Sequence, residues 1–164
     1  MKSARAKKSL GVKALPYEHA TSGKRAIHEM QKTLESIGAS AFGYMEDFDK
    51  AEVIVQFKYR DLPVTIRASA KGYAAIWLRR HPYSDRTMRI TRPVYEQRAI
   101  EKGKVAVYSM LRDWLKGQVT AIETGMLSFE AAFLGQIMLP SGETVLERIE
   151  RGNVLSLPAS TPAH

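Results

Sequence analysis

Apolar residues recur at helical spacing along one stretch that is longer than any other, from Arg92 to about residue 125. Residues three and four positions apart lie on one face of an α-helix, so this pattern predicts one wide buried stripe. Pro93 suits the first turn of a helix, which places the start at Thr91 or Arg92. One continuous rod would be about 48 Å long at about 1.5 Å per residue. Its weak points are Gly103 and Gly117, and Gly103 could divide it into two helices. The stripe consists of Val107, Leu111, Trp114, Leu115, Gln118, Val119 and Ile122.

A second helical stripe precedes three segments with strand character. Thr21 or Ser22 caps this first helix, which ends before Gly38. Glu52–Tyr59 has the clearest strand pattern, because apolar and polar residues alternate along it with Ile54 as the exception. Weaker strands are predicted over residues 41–46 and 64–68. The stripe of the first helix consists of Ala26, Ile27, Met30, Leu34 and Ile37. We expect one face of the resulting sheet to pack on helices and the other to be polar and net basic.

The remaining elements are short. Residues 73–78 are apolar and favour a helical turn or short helix, whereas residues 79–93 have no usable periodicity and are predicted to be irregular. After a stop at Gly125, Ser128 caps a new helix, and Thr144 begins a last short helix that runs to about Glu150. The helix capped by Ser128 should bury Phe129, Phe133, Leu134 and Ile137.

These elements predict the α+β class. We expect a small antiparallel sheet of about three strands, packed on the first helix and the long helix, with two short C-terminal helices. Residues 1–20 should form a basic mobile arm, residues 21–152 a single α+β domain, and residues 153–164 a disordered tail.

The amino-acid composition excludes several classes of function. The chain of 164 residues contains no cysteine, which excludes disulfides, thiol catalysis and thiolate metal sites. It has no apolar run near the roughly 18 residues of a membrane span, and its basic N-terminus lacks the apolar core of a secretory signal. We therefore expect a cytoplasmic protein without a membrane partner. The four histidines do not cluster, and no phosphate-binding loop or catalytic triad is present, so no metal, cofactor or catalytic residue is predicted.

Positive charge is concentrated in two places. The net charge is +8, with seven basic and one acidic residue in positions 1–25, and five arginines against Asp85 in positions 79–92. Positions 120–164 are acidic, with two basic and five acidic residues. This distribution indicates a polyanionic partner, most often nucleic acid.

The arginine-rich positions are the strongest candidate site. Aromatic residues lie among them, as is typical where phosphates are neutralised and bases are stacked. We predict a non-enzymatic nucleic-acid-binding accessory protein, with DNA a better candidate than RNA. The predicted contact residues are Arg79, Arg80, Arg86, Arg89 and Arg92 in this segment, Trp77 and Tyr83 beside it, and Lys58, Arg60 and Arg67 on the outer sheet face.

The last third of the chain resembles small uncharacterised proteins of tailed phages and integrated mobile elements. The likeness is centred on residues 114–144, where a tryptophan-bearing helix leads through an acidic residue and a glycine to "SFE", "FL" and a Leu-Pro-x-Gly turn. The matching residues are Trp114, Glu123, Gly125, Ser128, Phe129, Glu130, Phe133, Leu134, Leu139, Pro140 and Gly142. The resemblance implies a phage or prophage origin and assigns no activity or catalytic residue.

Three alternatives stay open. The charge asymmetry also suits a protein-interaction module, an adaptor or inhibitor that binds a host protein or assembles with itself. The order of helix, three strands and helix is shared with double-stranded-RNA-binding domains, although the lysine-rich start of their last helix is missing. The least favoured alternative is a Mg²⁺-dependent nuclease that uses Asp47 or Asp49, Gln56-Phe57-Lys58 and Glu29.

Overall fold

The computed structural model describes residues 13–154 and confirms the α+β architecture. Helix, three strands and helices follow one another as expected, and the long helix is not divided. The elements are α1 (Gly23–Ser36), β1 (Ala41–Asp47), β2 (Glu52–Tyr59), β3 (Leu62–Ser69), α2 (Lys71–Arg80), α3 (Arg92–Glu123), α4 (Phe129–Phe133), a 3-10 turn (Leu134–Gln136) and α5 (Val145–Arg151).

The sheet is an antiparallel meander in the order β1-β2-β3. Arg60 and Asp61 join β2 to β3, and both have positive φ, 47° and 62°, as a tight hairpin turn that matches the strand twist requires. Beyond β3, Ile137 bridges Val64, and the Met138 N–H donates to the carbonyl of Pro63 at 2.8 Å. The C-terminal segment thus covers the outer edge of β3.

The main core lies between one sheet face and the helices α1 and α3. Its fully buried side chains come from the sheet, from both helices and from α4: Phe133, Met30, Leu34, Leu115, Val53, Val55 and Val64. Ser22 caps α1 by accepting from the Arg25 N–H, as predicted. Trp114 was wrongly placed in the buried stripe, because it is 36% exposed and meets Phe133 at the margin of the core, with their rings perpendicular. Leu134 was wrongly placed as well, since it begins the 3-10 turn and is 54% exposed.

Gly103 does not weaken α3; it lets α3 approach α2 closely. A Cβ built on Gly103 would lie 2.7 Å from the backbone oxygen of Ala70, which immediately precedes α2. Only a residue without a side chain fits such a contact. By contrast, a Cβ on Gly117 meets no atom within 4 Å. Of the two glycines in the rod, one is required by packing and the other is not.

A second, smaller core lies between α2 and the first half of α3. Its buried residues are Ala74, Trp77, Tyr95 and Ala99, and Leu15, Leu78, Tyr83, Met88, Ile90 and Ile100 pack against them. The prediction of irregular structure for residues 79–93 was wrong at both ends: Arg79 and Arg80 complete α2, and Arg92 and Pro93 begin α3. The connecting residues 81–91 are irregular but are packed onto this core.

Both chain ends were predicted to lack regular structure, and most of those predictions lie outside the described residues. Residues 13–20, which were assigned to the arm, contact the second core instead: Tyr73 donates to the carbonyl of Pro16 and Arg80 to that of Lys13. At the other end, Thr144 and Glu147 form a reciprocal cap at the start of α5. Within residues 13–154, no helix combines the length and apolar character that crossing a membrane requires.

Candidate nucleic-acid interface

The predicted arginines are distributed along one stretch, here called the arginine segment, residues 79–92. Arg79 and Arg80 lie in the last turn of α2, and Arg92 is the first residue of α3. Arg86 and Arg89 lie between them in the connecting loop. All five side chains are exposed. The fold therefore presents every predicted arginine of this segment to solvent.

Three of these arginines have no internal partner. In the part of the chain that the structure describes, Arg79, Arg86 and Arg89 form no ion pair, side-chain hydrogen bond or cation–π contact. Arg80 donates from Nη1 to the carbonyl of Lys13 at 2.6 Å, a bond that leaves its charge uncompensated. The Arg92 guanidinium lies 5.1 Å from the ring centroid of Tyr83. An exposed guanidinium without a carboxylate partner is available to an external anion.

Hydrogen bonds to backbone carbonyls hold the loop in place. The Tyr83 hydroxyl donates to the carbonyl of Ile90 at 2.7 Å, and the Tyr95 hydroxyl donates to that of His81 at 2.6 Å. The carbonyl of Ser84 accepts from the N–H groups of Thr87 and Met88. Burial raises the pKa of the Tyr83 phenol, so that it stays protonated and keeps donating. The arginines are thus carried on a backbone with a defined shape.

The two aromatic residues predicted to stack on bases have internal roles. Trp77 is only 9% exposed; it stacks on His81 at 4.6 Å between ring centroids and also contacts Tyr95. Lys102 lies 5.7 Å from its ring centroid as well. Tyr83 is half-buried, with Arg92 over its ring and Tyr95 beside it. Both rings are already engaged in contacts within this core, so base stacking on them would require those contacts to be broken.

Helix dipoles add to the positive field at one end of the segment. The N-terminus of α3 has no side-chain cap and no acidic residue in its first turn, so its free N–H groups leave a partial positive charge near Arg92. The C-terminus of α2 carries the opposite partial charge, and Arg79 and Arg80 offset it. Stabilisation of α2 is thus one role of those two arginines, whereas Arg86 and Arg89 have no comparable role.

The basic residues of the sheet do not join the arginine segment. Lys58 pairs with Asp61 at 3.7 Å, Arg67 pairs with Glu147 at 3.6 Å, and Arg60 lies over the ring of Tyr59. Lys58 and Arg60 lie at the β2–β3 turn, whereas α2 leaves the opposite end of β3. Eight residues of strand separate these ends, which corresponds to about 26 Å. Strand length thus separates Lys58 and Arg60 from the arginine segment, whereas Arg67, near the α2 end of β3, is paired with Glu147.

The carboxylates considered for a nuclease are not brought together. Glu29 pairs with Arg25 and Arg112, and Asp47 accepts from the Lys50 N–H at the β1–β2 turn. Among residues 13–154, no group of three or more His, Asp or Glu side chains is arranged to hold a metal ion. The described residues therefore offer no support for this alternative.

A charged network between β1 and α3, centred on a buried lysine, was not predicted from the sequence. Lys104 is 5% exposed, and its Nζ donates to Glu46 at 3.2 Å and to Glu101 at 3.3 Å. The Tyr108 hydroxyl donates to the other oxygen of Glu46 at 2.9 Å. Burial alone lowers the pKa of Lys104, but the hydrogen bond and charge of Glu46 and the charge of Glu101 raise it overall. Lys104 and Tyr108 lie four residues apart on the face of α3 that is buried, which is the only pattern that could have revealed them. The network fixes β1 to α3 and lies apart from the arginine segment in the fold.

Comparison with protein-family models, with curated proteins and with solved structures yields no match to this chain.

Proposed function

We propose that the protein is a non-enzymatic nucleic-acid-binding accessory protein that contacts phosphates through the arginine segment. The observation that carries this proposal is a set of three exposed, unpartnered guanidinium groups: Arg79 in the last turn of α2, and Arg86 and Arg89 on the loop that packs on the second core. The sequence resemblance of residues 114–144 to phage and mobile-element proteins supports the setting in which we propose that it works.

The fold of the arginine segment does not require all of its positive charges. A loop that only connects two helices needs neither Arg86 nor Arg89, because the loop is held by tyrosine hydroxyls and apolar packing. Guanidinium groups match phosphate oxygens in geometry and charge. Because these arginines lie in a loop and at helix ends, backbone contact suits them better than reading base edges from a groove.

The buried state of Trp77 and Tyr83 sharpens the proposal. Because both rings are already engaged in contacts, affinity should come mainly from phosphate neutralisation, which depends little on sequence. Duplex DNA has a higher charge density than a single strand, and we therefore propose duplex DNA as the preferred partner over single-stranded RNA.

A binding titration at two salt concentrations tests the proposal. Labelled single- and double-stranded DNA and RNA are titrated with the wild type and with the triple variant R79A/R86A/R89A. We expect the variant to bind all sequences more weakly, and the slope of log affinity against log salt to fall by about 0.9 per lost contact on duplex DNA and about 0.7 on single strands. Thermal stability should be nearly unchanged, since these side chains contribute little to either core.

A matched control separates a specific surface from net charge. Lys24, Lys32 and Lys50 are exposed and have no ion-pair partner among residues 13–154. The variant K24A/K32A/K50A changes the net charge by the same amount but leaves the arginine segment intact, so it should retain most of the affinity and salt slope. Equal loss in both triple variants would reduce the interaction to a general charge effect. Unchanged binding by R79A/R86A/R89A would remove the arginine segment from the proposal.

A further inference from the structure

The two edge strands of the sheet, β1 and β3, differ in whether another segment pairs with their outer edge. The outer edge of β3 is bridged by Ile137 and Met138, whereas β1 pairs only with β2 among the described residues. Exposed strand edges in monomeric proteins are usually protected by lysine, proline or a bulge. β1 contains neither lysine nor proline, pairs with β2 one residue to one without a bulge, and has charged residues only at its C-terminal end, Glu46 and Asp47, whereas β3 contains Pro63 and Arg67. The unprotected edge is the one that remains open.

The pairing pattern identifies which backbone groups of β1 are free. Lys58 lies opposite Pro63 on β3, and because proline has no N–H, this pair makes no reciprocal hydrogen bonds. The Lys58 carbonyl instead accepts from the Ser40 N–H at 2.8 Å, on the β1 side. Hydrogen-bonded and non-bonded pairs alternate along antiparallel strands, so every second residue of β1 directs its backbone groups outward. Those residues are Phe42, Tyr44 and Glu46.

We propose that β1 pairs antiparallel with β1 of a second copy of this chain, across a two-fold axis at Tyr44. Tyr44 is the middle residue of Ala41–Asp47, so this register uses the whole strand. Tyr44 then lies opposite the second copy's Tyr44, and Phe42 opposite its Glu46. All three outward-facing residues of each chain find partners, and the two sheets become one continuous sheet.

The charge distribution along β1 selects the antiparallel orientation. Both of its acidic residues, Glu46 and Asp47, lie at the C-terminal end, and the N-terminal end is uncharged. Antiparallel pairing places them opposite the second copy's Phe42 and Ala41, whereas parallel pairing would set like charges side by side, which is unfavourable.

Side chains on the two faces of β1 fit the same register. On the outer face, Met45 is 59% exposed and would lie opposite the second copy's Gly43, where a built Cβ meets no atom within 4 Å. A methionine side chain can fill such an open space above a glycine. On the helix face, the Tyr44 ring is 53% exposed and already meets Tyr108 edge-on at 6.3 Å. In this register the second copy's Tyr44 would lie beside this ring and cover part of its exposed surface.

Sedimentation measurements on the full chain over a wide concentration range test the pairing. We expect a monomer–dimer equilibrium in the wild type. Tyr44→Pro removes an N–H on the free edge without removing a bond to β2, and Met45→Lys adds a charge beside the new pair. Each should weaken dimerisation by about tenfold or more. The control Met126→Lys alters an even more exposed methionine that is distant in sequence from β1, and it should dimerise like the wild type.

Cross-linking tests the register itself, with no need to destabilise the pair. The chain contains no cysteine, so Tyr44→Cys introduces one thiol, which should face its copy at a Cα separation of about 5.5 Å, within disulfide range. We expect rapid conversion to a covalent dimer on mild oxidation, and little conversion for Met126→Cys. A wild type that stays monomeric at every concentration would overturn the proposal. So would a dimer that survives both Tyr44→Pro and Met45→Lys, or equal cross-linking by the two cysteine variants.

Discussion

The two halves of α3 are parts of one helix, yet they are held by different means. From Lys104 onward, α3 packs on α1 and the sheet through a continuous apolar stripe that includes Val107, Leu111, Leu115 and Val119. Before Gly103, it contacts α2 and the arginine segment through two aromatic rings, Trp77 and Tyr95, and through hydroxyl groups that bond to carbonyls. The half after Gly103 is stabilised by the large apolar area that it buries, and the half before Gly103 by a few directed contacts.

This difference shows where stability and where function should lie. The main core contains the largest fully buried side chains, whereas the second core supports a surface loop whose Arg86 and Arg89 are exposed and make no side-chain contact with it. Regions with few buried apolar contacts open more readily than the core that supports them. A change in the main core should therefore unfold the whole chain, and a change in the second core should mainly free the arginine segment.

Phe133→Ala should have the largest effect on stability. Phe133 is fully buried and contacts the rings of Phe57, Phe129 and Trp114. Its truncation should lower the free energy of unfolding by about 3–5 kcal/mol. Denaturant titration measures this loss, and Leu134→Ala, at the exposed neighbouring position, should stay within about 0.5 kcal/mol of the wild type. Similar losses in both variants would contradict the placement of this core.

Trp77→Ala should have a smaller and more local effect. We expect a loss of about 1–3 kcal/mol because the second core opens without the sheet. Hydrogen exchange should accelerate over residues 71–100 and stay near wild-type rates in α1 and β2. Uniform acceleration along the chain would mean that the two cores unfold as one unit.

Replacing either glycine of α3 with alanine should change the stability of the protein, but in opposite directions. Gly103→Ala should destabilise by about 1–3 kcal/mol, because the new methyl group would meet the backbone oxygen of Ala70 and outweigh the better helix propensity of alanine. Gly117→Ala should stabilise by about 0.5–1 kcal/mol, since its surroundings are open. Thermal unfolding of both variants measures the difference, and stabilisation by Gly103→Ala would contradict the close contact between α2 and α3.

The smallest expected effect concerns pH and the attachment of residues 13–20. Asp113 accepts from Arg112 and from the Tyr17 hydroxyl, both at 2.8 Å, and the hydrogen bond from Arg112 is the main cause of its lowered pKa. A carboxyl whose pKa is lowered by folding stabilises the protein above its unfolded pKa, and this contribution is lost as the pH falls through the folded value. Asp113→Asn should therefore flatten the loss of stability below about pH 4, by well under 1 kcal/mol because solvent screens this half-exposed group. A steeper acid limb in the variant would contradict the sign.

The periodic parts of the fold could be predicted from the sequence, because a single face of each element decides them. The alternation in Glu52–Tyr59 and the stripe of α1 were sufficient to place the sheet and its cover. Local chemistry was sufficient for the caps at Ser22, Ser128 and Thr144. The exposure of the predicted arginines also agrees with the sequence, whereas their contact with nucleic acid stays a prediction.

Features that depend on distant neighbours could not be predicted. Trp114 matches the helical period but lies at the margin of the stripe, and period alone does not distinguish the centre of a face from its edge. Trp77 is an aromatic residue close to the arginines and therefore suits stacking on bases. Only the arrangement of α2 against α3 shows that its ring is already in contact with His81 and Tyr95. Likewise, the sequence suggests that Gly103 weakens the helix, and only the position of Ala70 shows that packing requires a glycine there.

The pairing of α1 with α3 also determines when the molecule can fold during its synthesis. Near the ends of these helices, the Ser36 hydroxyl lies 3.5 Å from a carboxylate oxygen of Glu123, across 87 residues of sequence. The sheet and α1 leave the ribosome before α3 has been made, and their apolar faces stay uncovered until residues near the end of α3 emerge. Such contacts between distant residues slow folding and leave the nascent chain exposed to aggregation. The three-stranded meander can form early, but the main core closes only after Phe133 of α4 has been made, when about four fifths of the chain has been translated.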